Sequence, residues 1–238
     1  MKLERAGGAD AIALRVAEVR RRMAEAEARA GRRPGQVSLC AACKARTPEE
    51  IRFSAGLPID LFGENRMQEM RNNLEAGAYQ GKPCHFIGHL QTNKVRQVVG
   101  RAAMIQSVGS LRLLEAIDRE AGRQGILQDV LLEINLGGEE SKAGADESEL
   151  MPLMDAAAAL PNLRVRGLMA IPPPESDERE ARRHFARLRG LMESVSGWAG
   201  EKAPLDTLSM GMSGDFEAAI LEGATLVRVG RGIYGERP

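Results

Sequence analysis

The chain has 238 residues, enough for one large domain or two small ones. Lysine plus arginine and aspartate plus glutamate number 33 each, so the formal charge is zero, which excludes a non-specific nucleic-acid binder with a net basic face. No apolar run approaches the ~18 residues of a membrane span, the charged N-terminus lacks a secretory core and three cysteines make no disulfide framework, so a cytoplasmic protein with no membrane or nucleic-acid partner is expected.

The N-terminal segment, residues 1–36, reads as a helix and a lead-in, with Ile12, Val16, Val19 and Met23 on one helical face. VSLCAAC (37–43) reads as the first strand. Thr47-Pro48-Glu49-Glu50 then carries a capping threonine, a proline at the first helical position and a glutamate three residues after the cap. Strands IDLFG (59–63), CHFIG (84–88) and AMIQSV (103–108) follow, and Leu111, Leu114, Ile117 and Ala121 mark a helical face. DVLLEINL (129–136) and RVRGLMAI (164–171) come next, then a Pro172-Pro173-Pro174 loop too short to link domains. A helix with Ala181, Phe185, Leu188, Met192 and Val195 on one face precedes the last strands, DTLSMG (206–211) and TLVRVG (225–230). Strands alternating with helices imply a parallel sheet covered by helices. Eight such units match a single α/β domain over 1–238, a (β/α)8 TIM-type barrel with an extra N-terminal helix. An open doubly wound sheet is the alternative.

Side chains alternate along a strand. Ser38, Cys40, Ala42 and Lys44 share one face, and the bulkier Val37, Leu39, Ala41 and Cys43 suit the helix-facing side. Lys44 then stands at the C-terminal mouth, where barrel active sites are built, and a lysine there can form a Schiff base with an aldehyde. The competing reading is a solvated lysine paired with Glu49 or Glu64. At the other end of the chain, Gly211-Met212-Ser213-Gly214-Asp215 after strand seven and Gly230-Arg231-Gly232 after strand eight are glycine turns that open helices. They form a candidate phosphate cradle, to which Ser213 adds a hydroxyl and Arg231 a charge, while Ser213 also caps its helix. Arg228 shares parity with Leu226 and Gly230; it either faces the axis or pairs at the surface with Glu217 or Glu222.

A Schiff-base lysine with a phosphate cradle suggests pyridoxal 5'-phosphate (PLP). FGENRMQE (62–69), HFIGHLQTNK (85–94), EINLGGEESKAG (133–144), RGLMAIPP (166–173) and LSMGMSGDFEAAI (208–220) resemble the pyridoxal phosphate homeostasis proteins, in order across nearly the whole chain. That family is similar to the barrel domain of alanine racemases, a fold type III arrangement. The resemblance implies PLP as cofactor, with Lys44 as its Schiff-base lysine and Arg228 facing the pyridine nitrogen. It puts the phosphate near Met212, Ser213, Gly230 and Arg231, and Asn65, His89 and Ser107 around the ring or its approach. A threonine or serine is commoner in the family at the position of Arg231, whose backbone N–H can still serve. An arginine at the ring nitrogen makes a weak electron sink. No lid domain is expected beyond the last barrel motif, and Tyr79 and Tyr234 are expected to sit on no lid. The resemblance implies delivery and homeostasis of vitamin B6 and amino/keto acid balance without substantial catalysis, with amino acids as weak external-aldimine ligands and PLP-dependent client enzymes as partners, and a monomer is expected. A fold type III racemase or decarboxylase and a cofactor-free Schiff-base aldolase are the alternatives.

Cys40 and Cys43 have metal-ligand spacing, but residues three apart on a strand face opposite sides and cannot grip one ion. Cys84, His85 and His89 are weak further candidates. Arg20-Arg21-Arg22 reads as a solvated helix face, Met169 and Met210 as barrel lining, and Lys142 as a loop residue that either reaches the mouth or only solvates the loop.

Overall fold

A computed structural model describes residues 8–137, 143–173, 177–198, 200 and 203–236. Eight parallel strands close on themselves in sequence order, β1 (Ser38–Ala42), β2 (Leu61–Glu64), β3 (Cys84–Phe86), β4 (Met104–Val108), β5 (Gln128–Glu133), β6 (Leu163–Met169), β7 (Thr207–Ser209) and β8 (Leu226–Val229). Each lies within or one residue beyond an expected apolar run. Outside them run α2 (Pro48–Ala55), α3 (Met67–Glu75), α4 (Leu111–Gln124), α5 (Leu150–Ala158), α6 (Glu178–Ser194) and two short turns, α7 (Phe216–Leu221) and α8 (Arg231–Tyr234). The open-sheet alternative is excluded by the β1–β8 pairing, which sets Cys40 opposite Arg228.

The extra helix, α1 (Gly8–Arg29), buries Ile12, Val16, Val19 and Met23 as expected. It packs beside α7 and α8. Its arginines are not a uniform solvated face. Arg20 donates to the Pro58 carbonyl and to Asp60, and Arg22 pairs with Glu217 while lying over the Phe216 ring; Arg21 alone pairs within α1. The Thr47 box that starts α2 closes both ways: Thr47 Oγ1 accepts the Glu50 N–H, and Glu50 accepts the Thr47 N–H. In α4 the face turns by one residue from expectation, because Leu113 is buried beside Leu114 while Leu111, next to the Ser110 cap, is 46% exposed. Lys142 and Pro174 lie outside the described residues.

Parity separates two apolar layers. Leu39, Ala41 and Cys43 join the sheet–helix core, whereas Cys40 packs with Leu61 and Leu226 inside the barrel. Met169 lines the interior with Met104 and Leu131. Met210 does not: its neighbour Ser209 takes the inward position, so Met210 falls on the helix side. The N-terminal end of the barrel is shut by ion pairs. Arg164 grips Asp129 with two hydrogen bonds, and Arg166 bridges Asp129 and Asp206. The C-terminal end is left open for the site.

Glu64 is the carboxylate that this packing strains. It is fully buried between β2 and α3, where one oxygen accepts from Tyr79 (2.8 Å) and Asn73 (2.8 Å) and the other has no partner. Burial pushes it up from 4.5 to about 7, against the opposing effect of those two hydrogen bonds. A raised folded-state value favours folding while the acid is protonated, so its contribution is complete below about pH 4.5 and lost as pH rises through 7. Glu64→Gln, an uncharged mimic of the acid, should gain on the wild type as pH goes from 4.5 to 7.5. The gain should be a few kcal/mol at most, because each tenfold change in proton affinity is worth roughly 1.4 kcal/mol. Urea denaturation of both proteins across that range checks this, and a stability difference that stays flat with pH would contradict the assignment.

Candidate functional site

At the open end, β1 and β8 bring the two expected cations together. Beyond Ala42 the chain makes a tight turn, closed by the Arg46 N–H on the Cys43 carbonyl, with Ala45 in the left-handed region at φ 58°. This turn sets Lys44, partly buried, on the wall of a cavity of about 370 Å3. Neither Glu49 nor Glu64 pairs with it; Glu64 is held by Asn73 and Tyr79 on the far side of the sheet.

Arg228 reaches the same cavity from β8 and is 4% exposed. The surface pairing is ruled out, since Glu217 is taken by Arg22 and Glu222 by Arg182 and Arg189. The guanidinium instead donates to Ser209 Oγ (2.5 Å) and to the Ala170 carbonyl (2.9 Å). The Ser209 hydroxyl donates to Gln106 Oε1 (2.7 Å), and the Gln106 amide lies 2.8 Å from His85 Nδ1. Burial pushes His85 down to about 4, so the ring is neutral and Nδ1 accepts. The result is a directed chain of hydrogen bonds down the axis from β8 to β3. Sequence reasoning missed Ser209, Gln106 and the role of His85, which show only as polar residues inside apolar runs.

The two glycine turns meet over the cavity, but not as helix-capping motifs. Ser213 does not cap α7; its hydroxyl accepts the Gly232 N–H (3.0 Å) and so ties the loop after β7 to the loop after β8. The Met212 N–H is taken by Asp215 (2.6 Å), which leaves Met212 at the rim, 37% exposed. Among the described residues no acceptor is found for the N–H groups of Ser213, Gly214 and Arg231. They all border the cavity. Since α7 and α8 have six and four residues, the helix dipole contributes little, and what this edge of the cavity offers an anion is the free donors themselves. The Arg231 side chain is mostly exposed and leans toward Glu236 at 3.8 Å, so only its backbone faces inward. With the Arg231 side chain turned outward, the titratable lining is three cations, Lys44, Arg46 and Arg228, against Asp215 alone, and this favours an anionic ligand.

Seven of the nine expected residues thus line one cavity: Lys44, Asn65, Met212, Ser213, Arg228, Gly230 and Arg231. His89 and Ser107 do not; they border a neighbouring cavity, and Ser107 donates to the Gly88 carbonyl (2.5 Å) in the wall between the two. The cysteines are buried with free thiols, Cys40 and Cys43 on opposite faces, and no metal-binding cluster is found among the described residues.

A family profile described as "Alanine racemase, N-terminal domain" matches residues 14–238. A pyridoxal phosphate homeostasis protein of Aquifex aeolicus is 41% identical, over 94% of this chain and 97% of the relative. The chain belongs to the pyridoxal phosphate homeostasis protein family. Another member, from Escherichia coli K12, is 38% identical over 95% of this chain and 97% of its own. Among solved structures, PipY of Synechococcus elongatus with PLP bound superposes with a TM-score of 0.77 at 32% identity, covering 90% of this chain and all of that one. An alanine racemase from Clostridium difficile shares the fold (TM-score 0.69, 17% identity), and this chain spans 60% of its length.

Two glycines of the cradle differ in a testable way. A Cβ on Gly214 would meet nothing within 4 Å, whereas one on Gly230 would lie 3.3 Å from the Ala42 carbonyl, against the end of β1. Inorganic phosphate, titrated by calorimetry, should bind Gly214→Ala like the wild type and Gly230→Val much more weakly. Ser213→Ala loses the tie to Gly232 and should cost about 1 kcal/mol, roughly fivefold in affinity. Equal binding by all three would remove the cradle.

Proposed function

We propose that the protein binds PLP in the cavity beneath Lys44 and acts in intracellular PLP homeostasis, holding and releasing the cofactor rather than turning over a substrate. The observation that carries this reading is the convergence of Lys44, Arg228 and the free N–H groups of Ser213, Gly214 and Arg231 on one cavity. The donor set fits the group: an amine for the aldehyde, N–H donors for a phosphate dianion and a buried guanidinium to face the ring nitrogen. When bound, PLP supplies an aldehyde that condenses with primary amines.

The rest is done by the chain. Lys44 anchors the aldehyde end, and its partly buried place at the mouth leaves it open to an incoming amine. The loops after β7 and β8, locked together through Ser213 and Gly232, hold the phosphate. Arg228, fixed by Ser209 and Ala170, would face the ring nitrogen as a donor and so disfavour its protonation, which would weaken the ring as an electron sink. Abstraction of an α-proton needs a positioned acid–base group as well. Both tyrosines are occupied elsewhere: Tyr79 donates to Glu64, and Tyr234 is hydrogen-bonded to Ser54. The likeness to alanine racemases is one of fold. We therefore read the protein as non-catalytic, monomeric and cytoplasmic, with PLP-dependent enzymes as recipients.

Borohydride treatment of the loaded protein should fix the cofactor on Lys44, read by peptide mass mapping, and Lys44→Ala should lose the label. A label on Lys94 or Lys142 would sink the assignment. Incubation with L-alanine in deuterated water should show α-hydrogen exchange near background. Exchange at rates usual for enzymes, on the order of 10 per second, would instead favour a racemase.

A further inference from the structure

A second cavity, of about 610 Å3, opens between the loops that follow β3, β4 and β5. It adjoins the first across a thin wall. Gly88 packs so closely on Asn65 that a Cβ there would sit 2.1 Å from the Asn65 carbonyl oxygen, and Ser107 is bonded to the Gly88 carbonyl. One of its lining residues is Glu133, the last residue of β5, 6% exposed. Among the described residues this carboxylate has neither a hydrogen bond nor an ion pair; burial pushes it up to about 7, and Arg228 acts on it only through space, in the opposite sense. A buried carboxylate without a partner is costly, and a bound cation would relieve that cost. The rim has the opposite sign. The first turn of α4, a fourteen-residue helix capped by Ser110, borders the cavity together with the exposed Arg112. Helix N-termini attract anions.

A negative group inside the cavity and a positive rim match a zwitterion. We propose that this cavity is an α-amino-acid subsite, with the ammonium on Glu133 and the carboxylate at the first turn of α4 beside Arg112. It deepens the PLP reading and rests on it for its purpose, since it would dock an amine at the same end of the barrel as Lys44.

The test uses the cofactor-free full chain and amide NMR. L-alanine should shift the amides of Gly109, Ser110 and Gly144. Glu133→Gln should weaken that binding about tenfold, as expected for loss of a charge-assisted contact, while still showing the inorganic-phosphate shifts at Ser213 and Gly230 that report an intact fold. Methylamine and acetate, each carrying one of the two charges, should bind more weakly than alanine. Alanine shifts that map to Ser213 and Gly230 in the wild type, unchanged alanine affinity in Glu133→Gln, or methylamine or acetate binding as tightly as alanine would each overturn the proposal. The wild-type map stands even if the variant does not fold. Because no cofactor is present, failure here leaves the Lys44 labelling result standing, and the reverse holds too.

Discussion

A guanidinium cannot shed its proton, so burying one inside a closed barrel obliges the surrounding chain to supply acceptors. Much of the interior of this molecule follows from that obligation at Arg228. Ser209 and the Ala170 carbonyl accept from it directly, and Ser209 must then find its own acceptor in Gln106. Gln106 in turn ends on a neutral His85. Four strands are thereby drawn into one polar column, and the Arg228 head is held at the top of it, facing the cavity. A lysine in this place would be freer to lose its charge and could not span two acceptors in a fixed plane.

The two ends of the barrel divide stability from binding. The N-terminal end is closed by the Asp129, Arg164, Arg166 and Asp206 network, and α1 is clamped to the outside by Arg20 and Arg22. Among the described residues, the C-terminal end carries polar groups with no hydrogen-bond partner instead: three backbone N–H groups, the Lys44 amine and the Glu133 carboxylate. Groups of this kind are expensive in a finished core and useful in a site, because a ligand completes them. A cavity that supplies an amine, backbone N–H donors and a guanidinium matches the functional groups of an aldehyde phosphate.

Much of this is legible in the sequence. The apolar runs locate every strand because parallel strands are covered on both faces, and the alternation of Cys40 with Cys43 locates the axis and the place of Lys44. Arg228 is ambiguous by parity alone; the register that pairs it with Cys40 resolves it. Met210 departs from its expected inward place because the run LSMG contains a polar residue, Ser209, that turns inward instead. Ser213 reads locally as a cap for α7, but its hydroxyl finds a donor across the gap in Gly232, a contact nineteen residues away that no local motif announces. The isolation of Glu133 is illegible for the same reason: a lone glutamate at a strand end shows nothing of whether the fold gives it a partner. Leu111 and Leu113 show the limit of helical periodicity, where the cap decides which of two leucines turns inward.

The central claim is that the free N–H groups of Ser213, Gly214 and Arg231 hold the phosphate of a lysine-anchored aldehyde as a dianion, out of water. A phosphate monoester free in solution titrates with a second pKa near about 6. The phosphorus-31 resonance of the PLP-loaded protein, followed across that range, tests this directly. The account predicts a chemical shift that does not move with pH while the fold is intact. A resonance that follows the titration of free PLP would show a cofactor tethered through its aldehyde alone, with its phosphate in solvent, and would contradict the account.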